Sequence, residues 1–187
     1  MKEIKNILLV SGSGRNCGKT TLVCNIISSL SKENNNIIGL KISPHFHIMD
    51  ENQTLIHKEE GINIYMEKNA DSTKDSGRML KAGAKEVYFL QCDDTLLEQA
   101  YEKFTEFINS DDLVVCESGS LSNVYKTGLH LLVRGEEFDA KKKSFIKNLA
   151  KADLIVPQSS FGSDSLSNEL VQKIEQWKQK NYDYDIA

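Results

Sequence analysis

Residues 11–22, SGSGRNCGKTTL, bring three glycines, one lysine and two threonines into twelve positions. Glycines let a backbone curl until successive N–H groups converge on one anion. A helix that begins there adds unpaired N–H donors and the positive end of its dipole. A lysine and a hydroxyl directly behind the curl can reach phosphate oxygens and a Mg²⁺ ion. Gly12, Gly14 and Gly18 supply the curl, Lys19 the charge and Thr20 the hydroxyl, with Arg15, Asn16 and Thr21 alongside. The chemistry indicated is the cradling of a nucleoside triphosphate. The usual spelling G-x-x-x-x-G-K-[ST] asks for glycine where Ser13 stands. Measured from Gly12 the loop reads G-x-x-x-x-x-G-K-T, one residue longer. A glycine-rich turn without a ligand is the plain alternative.

Acids at the carboxyl ends of strands are the next candidates, because ligands of open α/β sheets bind there. LVVCE ends in Glu117 followed by SGS, which suits a carboxylate that holds Mg²⁺ directly or through water. A turn or cap residue is the alternative. Lys19 and Glu117 form the candidate catalytic pair. Asp75 opens the segment KDSGRMLKAG and is either a second Mg²⁺ ligand beside Thr20 and Glu117 or a helix cap. Lys41, in IIGLKIS, is expected beside the loop-bearing strand, where it would meet an anionic substrate or the terminal phosphate. Asp93 and Asp94 are equally well explained as caps. His45 and His47, two apart in an extended PHFH, suit a metal pair, a substrate contact or plain structure. Arg15 is the one candidate for an arginine that reaches a transferring phosphoryl group, and QSSFGSD (158–164) is where a base-contacting loop is expected.

The elements that must position these groups follow from hydrophobic periodicity. Apolar runs predict strands over 4–10, 37–42, 86–92, 113–117, 129–134 and 154–158. Helical spacing predicts helices over 20–30, leaving through KENNN, and over 74–83, closed by Gly83. Thr95 and Glu98 predict a capping box for the next helix, with its apolar face reaching Ile108. FIKNLA ends a further helix, and Leu166, Leu170, Val171, Ile174 and Trp177 mark the last one. The segment from Ile42 to Thr73 reads as a long connection with a short strand around INIYME. The acidic end NYDYDIA reads as solvated. Alternating strands and helices imply parallel pairing with right-handed crossovers. The expectation is one nucleotide-binding domain over 1–187, an α/β three-layer P-loop NTPase fold on a mostly parallel sheet of about six strands.

Composition narrows the partners. The net charge of −4 gives no support for nucleic-acid binding. No stretch approaches a membrane span, and the first apolar run is too short for a signal peptide, so the cytoplasm is the expected location. Cys17, Cys24, Cys92 and Cys116 form no C-x-x-C pair and read as reduced thiols, structural at Cys92 and Cys116.

Taken together, GKTTL after an SG-rich loop, IIGLKI followed by PHFH, DSGRMLKAGA at 75–84 and the acidic strand end CESGS resemble the molybdopterin-guanine dinucleotide biosynthesis protein B (MobB) family. The longer loop is similar to that of dethiobiotin synthetase. The first resemblance implies a protein that binds GTP with Mg²⁺, hydrolyses it slowly and often forms a homodimer. It also implies a protein partner in cofactor biosynthesis, the guanylyltransferase that attaches GMP to molybdopterin. Gly18, Lys19 and Thr20 would bind phosphate and Mg²⁺, and Asp75 and Glu117 would complete the metal site. The chain departs from the family where Ile42 and Ser43 follow Lys41, and where Ser118 separates Glu117 from Gly119. No N-K-x-D motif reads guanine, so GTP and ATP both stand. Three functions compete: a nucleotide-binding accessory factor, an ATP-dependent ligase or small-molecule kinase of the dethiobiotin-synthetase type, and a binding domain with a degenerate loop.

Overall fold

The computed structural model describes residues 1–33, 36–47, 51, 53–162 and 165–182. Its strands are β1 (Lys2–Gly12), β2 (Ile37–Ser43), β3 (Gln53–Glu59), β4 (Ile62–Glu67), β5 (Glu86–Cys92), β6 (Leu113–Glu117), β7 (Tyr125–Arg134) and β8 (Leu154–Pro157). Its helices are α1 (Lys19–Leu30), α2 (Asp75–Lys81), α3 (Leu97–Thr105), α4 (Lys143–Leu149) and α5 (Asn168–Tyr182). The strands form one mixed sheet in the order β3-β4-β5-β2-β6-β1-β7-β8. Six pair in parallel, and β3 and β4 are antiparallel to each other, as β4 is to β5. Among the described residues the sheet therefore has eight strands rather than about six: β4 is the short strand expected around INIYME, and β3 pairs with it as a hairpin inside the segment read as a connection. Gly61, at φ 73°, is the second residue of the two-residue turn, a position whose left-handed backbone favours glycine.

Helices cover both faces because neighbouring residues of the central strands point to opposite sides. Leu8 and Val10 of β1 pack with Leu22, Val23, Ile26, Ile27 and Leu30 of α1, Met79 of α2, and Leu170, Ile174 and Trp177 of α5. Ile7 and Leu9 face the other way, onto Leu97, Ala100, Tyr101 and Phe104 of α3. All four β1 side chains are fully buried. Each is worth about 1.5–3 kcal/mol of transfer free energy. Trp177 anchors α5 by donating its indole N–H to the Lys5 carbonyl at 2.9 Å, beside the register shift of β1 against β7. No helix among the described residues is long and apolar enough to cross a membrane.

One helix end agrees with expectation and one helix start does not. α1 stops at Leu30, where Ser31 donates its N–H to Ile27; Asn34 and Asn35 of the expected exit lie outside the described residues. The capping box of Thr95 and Glu98 does not form. A 3₁₀ turn occupies Asp94–Leu96, and α3 begins at Leu97 with no side-chain cap. Burial decides this: Leu97 is buried, and the Leu96 side chain packs over the hairpin turn at Gly61. Gly83, at φ 105°, ends the α2 segment as its sequence requires. The end NYDYDIA lies outside the described residues beyond Tyr182.

The four cysteines are free thiols. Burial pushes Cys92 up to about 12 and holds Cys116 well above the ordinary range, so both are inert core groups.

Candidate functional site

The parallel register sets two chemically active residues, Glu117 and Lys41, level with one another. Val10 of β1 faces Glu117 of β6, and Glu117 faces Lys41 of β2. Lys41 is thus one strand further from β1 than expected, since β6 runs between them. This is where chain order reverses in the sheet: β1 leads leftward to β2, while β7 and β8 lie to its right. Such reversals open a crevice at the carboxyl ends of the strands.

The loop from Ser13 to Gly18 closes one wall of that crevice. Asn16 at φ 58° and Gly18 at φ 91° both take left-handed backbone, which turns the chain sharply into α1. The stem of Lys19 lies across Gly12: a Cβ there would meet Lys19 Cδ and Cγ at 2.7 Å and Cys17 Sγ at 2.5 Å. Lys19 Nζ donates to the Gly14 carbonyl at 2.6 Å and so lies against the loop it serves. Ser13, the residue that breaks the usual spelling, is buried and structural. Its N–H donates to the Val133 carbonyl at 2.9 Å, and its hydroxyl accepts the Gly135 N–H at 3.0 Å. The loop is therefore stitched to β7 at the position where glycine was expected.

Opposite the loop, charges converge. Thr20 Oγ1 donates to Glu117 Oε2 at 2.7 Å, and Lys41 Nζ donates to Glu117 Oε1 at 3.0 Å. Lys41 also pairs with Asp75, which Arg78 approaches at 4.0 Å. Burial favours neutral forms of both partners, but the pairing overrides it. Lys41 is held above the ordinary lysine range by Glu117 and Asp75, and Asp75 below the usual carboxylate range by Lys41. Lys74 is the N-cap of α2 and Asp75 its first helical residue, so Asp75 does not hold the cap position. Ser118 has a job of its own. Its hydroxyl accepts the N–H groups of Ser120 and Leu121 at 3.2 and 3.1 Å, fixing the turn behind Glu117.

Together these residues line a cleft of about 510 Å³ that holds Arg15, Asn16, Gly18, Lys19, Thr20, Thr21, Lys41, Asp75 and Glu117. Gly12, the last residue of β1, and Gly14 in the loop do not line it. Asp93 and Asp94 do not line it. His45 does, and its ring stands edge-on to that of His47, 6.3 Å away. No group of three or more His, Cys, Asp or Glu suited to a metal forms among the described residues, so these histidines have no third such ligand. Of QSSFGSD, Gln158 reaches the cleft and Phe161 packs against Gly18, while Ser163 and Asp164 lie outside the described residues.

Sequence reasoning missed Arg78, whose guanidinium donates to Thr21 Oγ1 at 3.3 Å. Its place three residues after Asp75 on one helix was the available signal.

Glu117, Asp75 and the Thr20 hydroxyl form a hard oxygen set, the donor type Mg²⁺ selects, with room in the cleft for water and phosphate oxygens. The start of α1 lines the same cleft at Gly18, Lys19, Thr20 and Thr21, where a helix leaves its first N–H groups without intrahelical partners. In comparisons with known proteins, no family model, no curated protein and no solved structure matches this chain.

Proposed function

We propose that this protein binds a nucleoside triphosphate with Mg²⁺ in the cleft between the Ser13–Gly18 loop and Glu117, as a three-layer P-loop NTPase. The observation that carries the reading is the Thr20–Glu117–Lys41–Asp75 network facing a glycine loop whose lysine lies across it. Lys19 and the N–H groups of the loop bind the phosphates. Thr20, Asp75 and Glu117 hold the metal, which when bound neutralises charge on the phosphoryl oxygens. Lys41, whose ammonium pairs with Glu117 and Asp75, lines the same cleft and would meet those oxygens there. Arg15 and Arg78 line the cleft and would balance the charge of the phosphates.

Within that class the MobB resemblance supports an accessory factor of molybdopterin guanine dinucleotide or related cofactor biosynthesis. It would bind GTP or ATP, hydrolyse it slowly, and act with a protein partner or as a homodimer. A second reading, an ATP-dependent ligase or small-molecule kinase, is favoured by one observation: a further cavity opens beside the cleft and shares Arg15, Lys41, Ser43, His45 and Asp75 with it.

Thermal melts of the wild type and of Lys19→Ala with Mg²⁺ and ATP, GTP or neither test the class. Ligand at a hundred times its dissociation constant adds about 2.7 kcal/mol. At this length that is roughly 5–10 °C in melting temperature. The expected result is a shift with one nucleotide that Lys19→Ala loses. GTP favours the accessory factor and ATP the ligase or kinase. A flat response to both would remove the nucleotide reading.

A further inference from the structure

We infer that the adjoining cavity is a binding site for a second ligand, a small organic anion that also carries an N–H or O–H donor. The cavity measures about 640 Å³, the size of a small-molecule site. Three features select the chemistry.

The first is an acceptor in need of a donor. Gln53, at the start of β3, is only 8% exposed and lines the cavity. Its amide nitrogen donates to Glu67 Oε2 at 2.8 Å and to Ser76 Oγ at 2.9 Å. Ser76 in turn donates to Glu67 Oε2 at 2.6 Å, so the carboxylate fixes which way the amide faces. That leaves Gln53 Oε1 buried with no hydrogen-bond partner among the described residues. A buried carbonyl without a donor is costly, and a ligand N–H or O–H relieves the cost.

The second is charge. Arg15 and Lys41 stand on the walls, and Lys41 already pairs the carboxylate there, Asp75. Arg15 has no hydrogen-bond or ion-pair partner among the described residues and stands where the two cavities meet. The third is a set of flat surfaces. Phe89 is nearly buried in the wall, with the rings of His45 and His47 beside it. A ligand with an apolar or planar body, an oxyanion toward Arg15 and Lys41, and a donor toward Gln53 satisfies all three. Its place beside the phosphate cleft makes it the co-substrate of the proposed nucleotide, a role that rests on that reading. The binding itself does not.

The test is chemical-shift mapping on the isotope-labelled full chain without nucleotide. The probes are small aromatic and aliphatic carboxylates, each paired with its methyl ester and with the analogue lacking the hydroxyl or amino group. The trio para-hydroxybenzoate, benzoate and methyl para-hydroxybenzoate is one such set. Acids are expected to shift the amides of Ser43, His45, Thr73, Ser76 and Phe89, and esters to bind at least tenfold more weakly. Hydroxylated acids should bind better than plain ones, and Gln53→Leu should erase that preference. Lys19→Ala should leave probe binding unchanged while it removes nucleotide stabilisation, so the two readings fail separately. The inference is overturned if no acid shifts those amides, or if acids and esters bind alike. It is equally overturned if folded Gln53→Leu keeps the wild-type preference. The acid–ester comparison needs no variant, so a poorly folding Gln53→Leu leaves the test intact.

Discussion

Gly12 and Gly14 have opposite tolerance for a methyl group, and the difference lies in what the stem of Lys19 needs beneath it. A Cβ at Gly12 would press on the stem of Lys19 and on Cys17 Sγ, both closer than 3 Å. A Cβ at Gly14 would meet nothing within 4 Å, and Gly14 does not need a left-handed backbone. Gly12→Ala is therefore expected to keep the fold at a cost of about 1–3 kcal/mol, and to displace Lys19 so that Mg²⁺-nucleotide stabilisation is lost. Gly14→Ala should unfold in urea within about 0.5 kcal/mol of the wild type. Equal denaturation midpoints for the two variants would show that Lys19 does not depend on a bare backbone beneath it. Ser13 belongs to the same scale. Its spacing looked like a mismatch in a pattern, yet its hydroxyl ties the loop to Gly135, a bond glycine could not make.

At the scale of elements, the β3–β4 hairpin matters most because it positions α2, and α2 carries Asp75. The fastening is Glu67 at the end of β4, buried, with four donors on its two oxygens: Gln53, Ser76, and the backbone N–H groups of Lys68 and Asn69. Hydrogen bonds to a buried charge are stronger than neutral ones, and removing the acceptor strands its donors. Glu67→Ala is expected to cost about 3 kcal/mol in chemical denaturation. Hydrogen exchange should show β3 and β4 amides opening before those of β1 and β6. Exchange that stays uniform across the sheet would mean that the hairpin is held by something else. The hairpin was hard to read for a physical reason. β3 is an edge strand whose side chains are largely exposed or half-buried, and its charges leave little alternation to detect.

The whole molecule shows in the response to acid. His130 sits in β7, level with Leu9 of β1, with its ring 2.8 Å from the Ser11 hydroxyl. Burial is the main cause that drives its pKa from 6.5 down to about 4, against the opposing pull of Asp153. The unfolded chain therefore takes up this proton first as pH falls. The stabilising contribution is complete above pH 6.5 and is lost progressively toward pH 4. From this group alone, unfolding free energy should fall by about 2 kcal/mol between pH 7 and pH 5. His130→Gln should flatten that slope in urea titrations at the two pH values. A variant with the wild-type slope would assign the acid sensitivity to other groups.

What the sequence determined by itself is local. The strand runs at 86–92 and 113–117, the helix behind the glycine loop, and the turn at Gly83 are set by periodicity and backbone conformation within a few residues. The candidate residues Lys19, Thr20, Lys41, Asp75 and Glu117 were legible for the same reason: each sits at an element end that could be read nearby. What only the tertiary structure decided is who meets whom. Lys41 reaches Glu117 because β6 is inserted between β1 and β2, a choice of strand order that no local pattern encodes. The start of α3 yielded to the burial of Leu97 and the packing of Leu96 over Gly61, because burying apolar surface from distant strands outweighs one capping bond. Gln53, Glu67 and Ser76 come together from three elements across 24 residues of chain. Their meaning lies in burial, which is a property of the folded sheet and not of the sequence window around each residue.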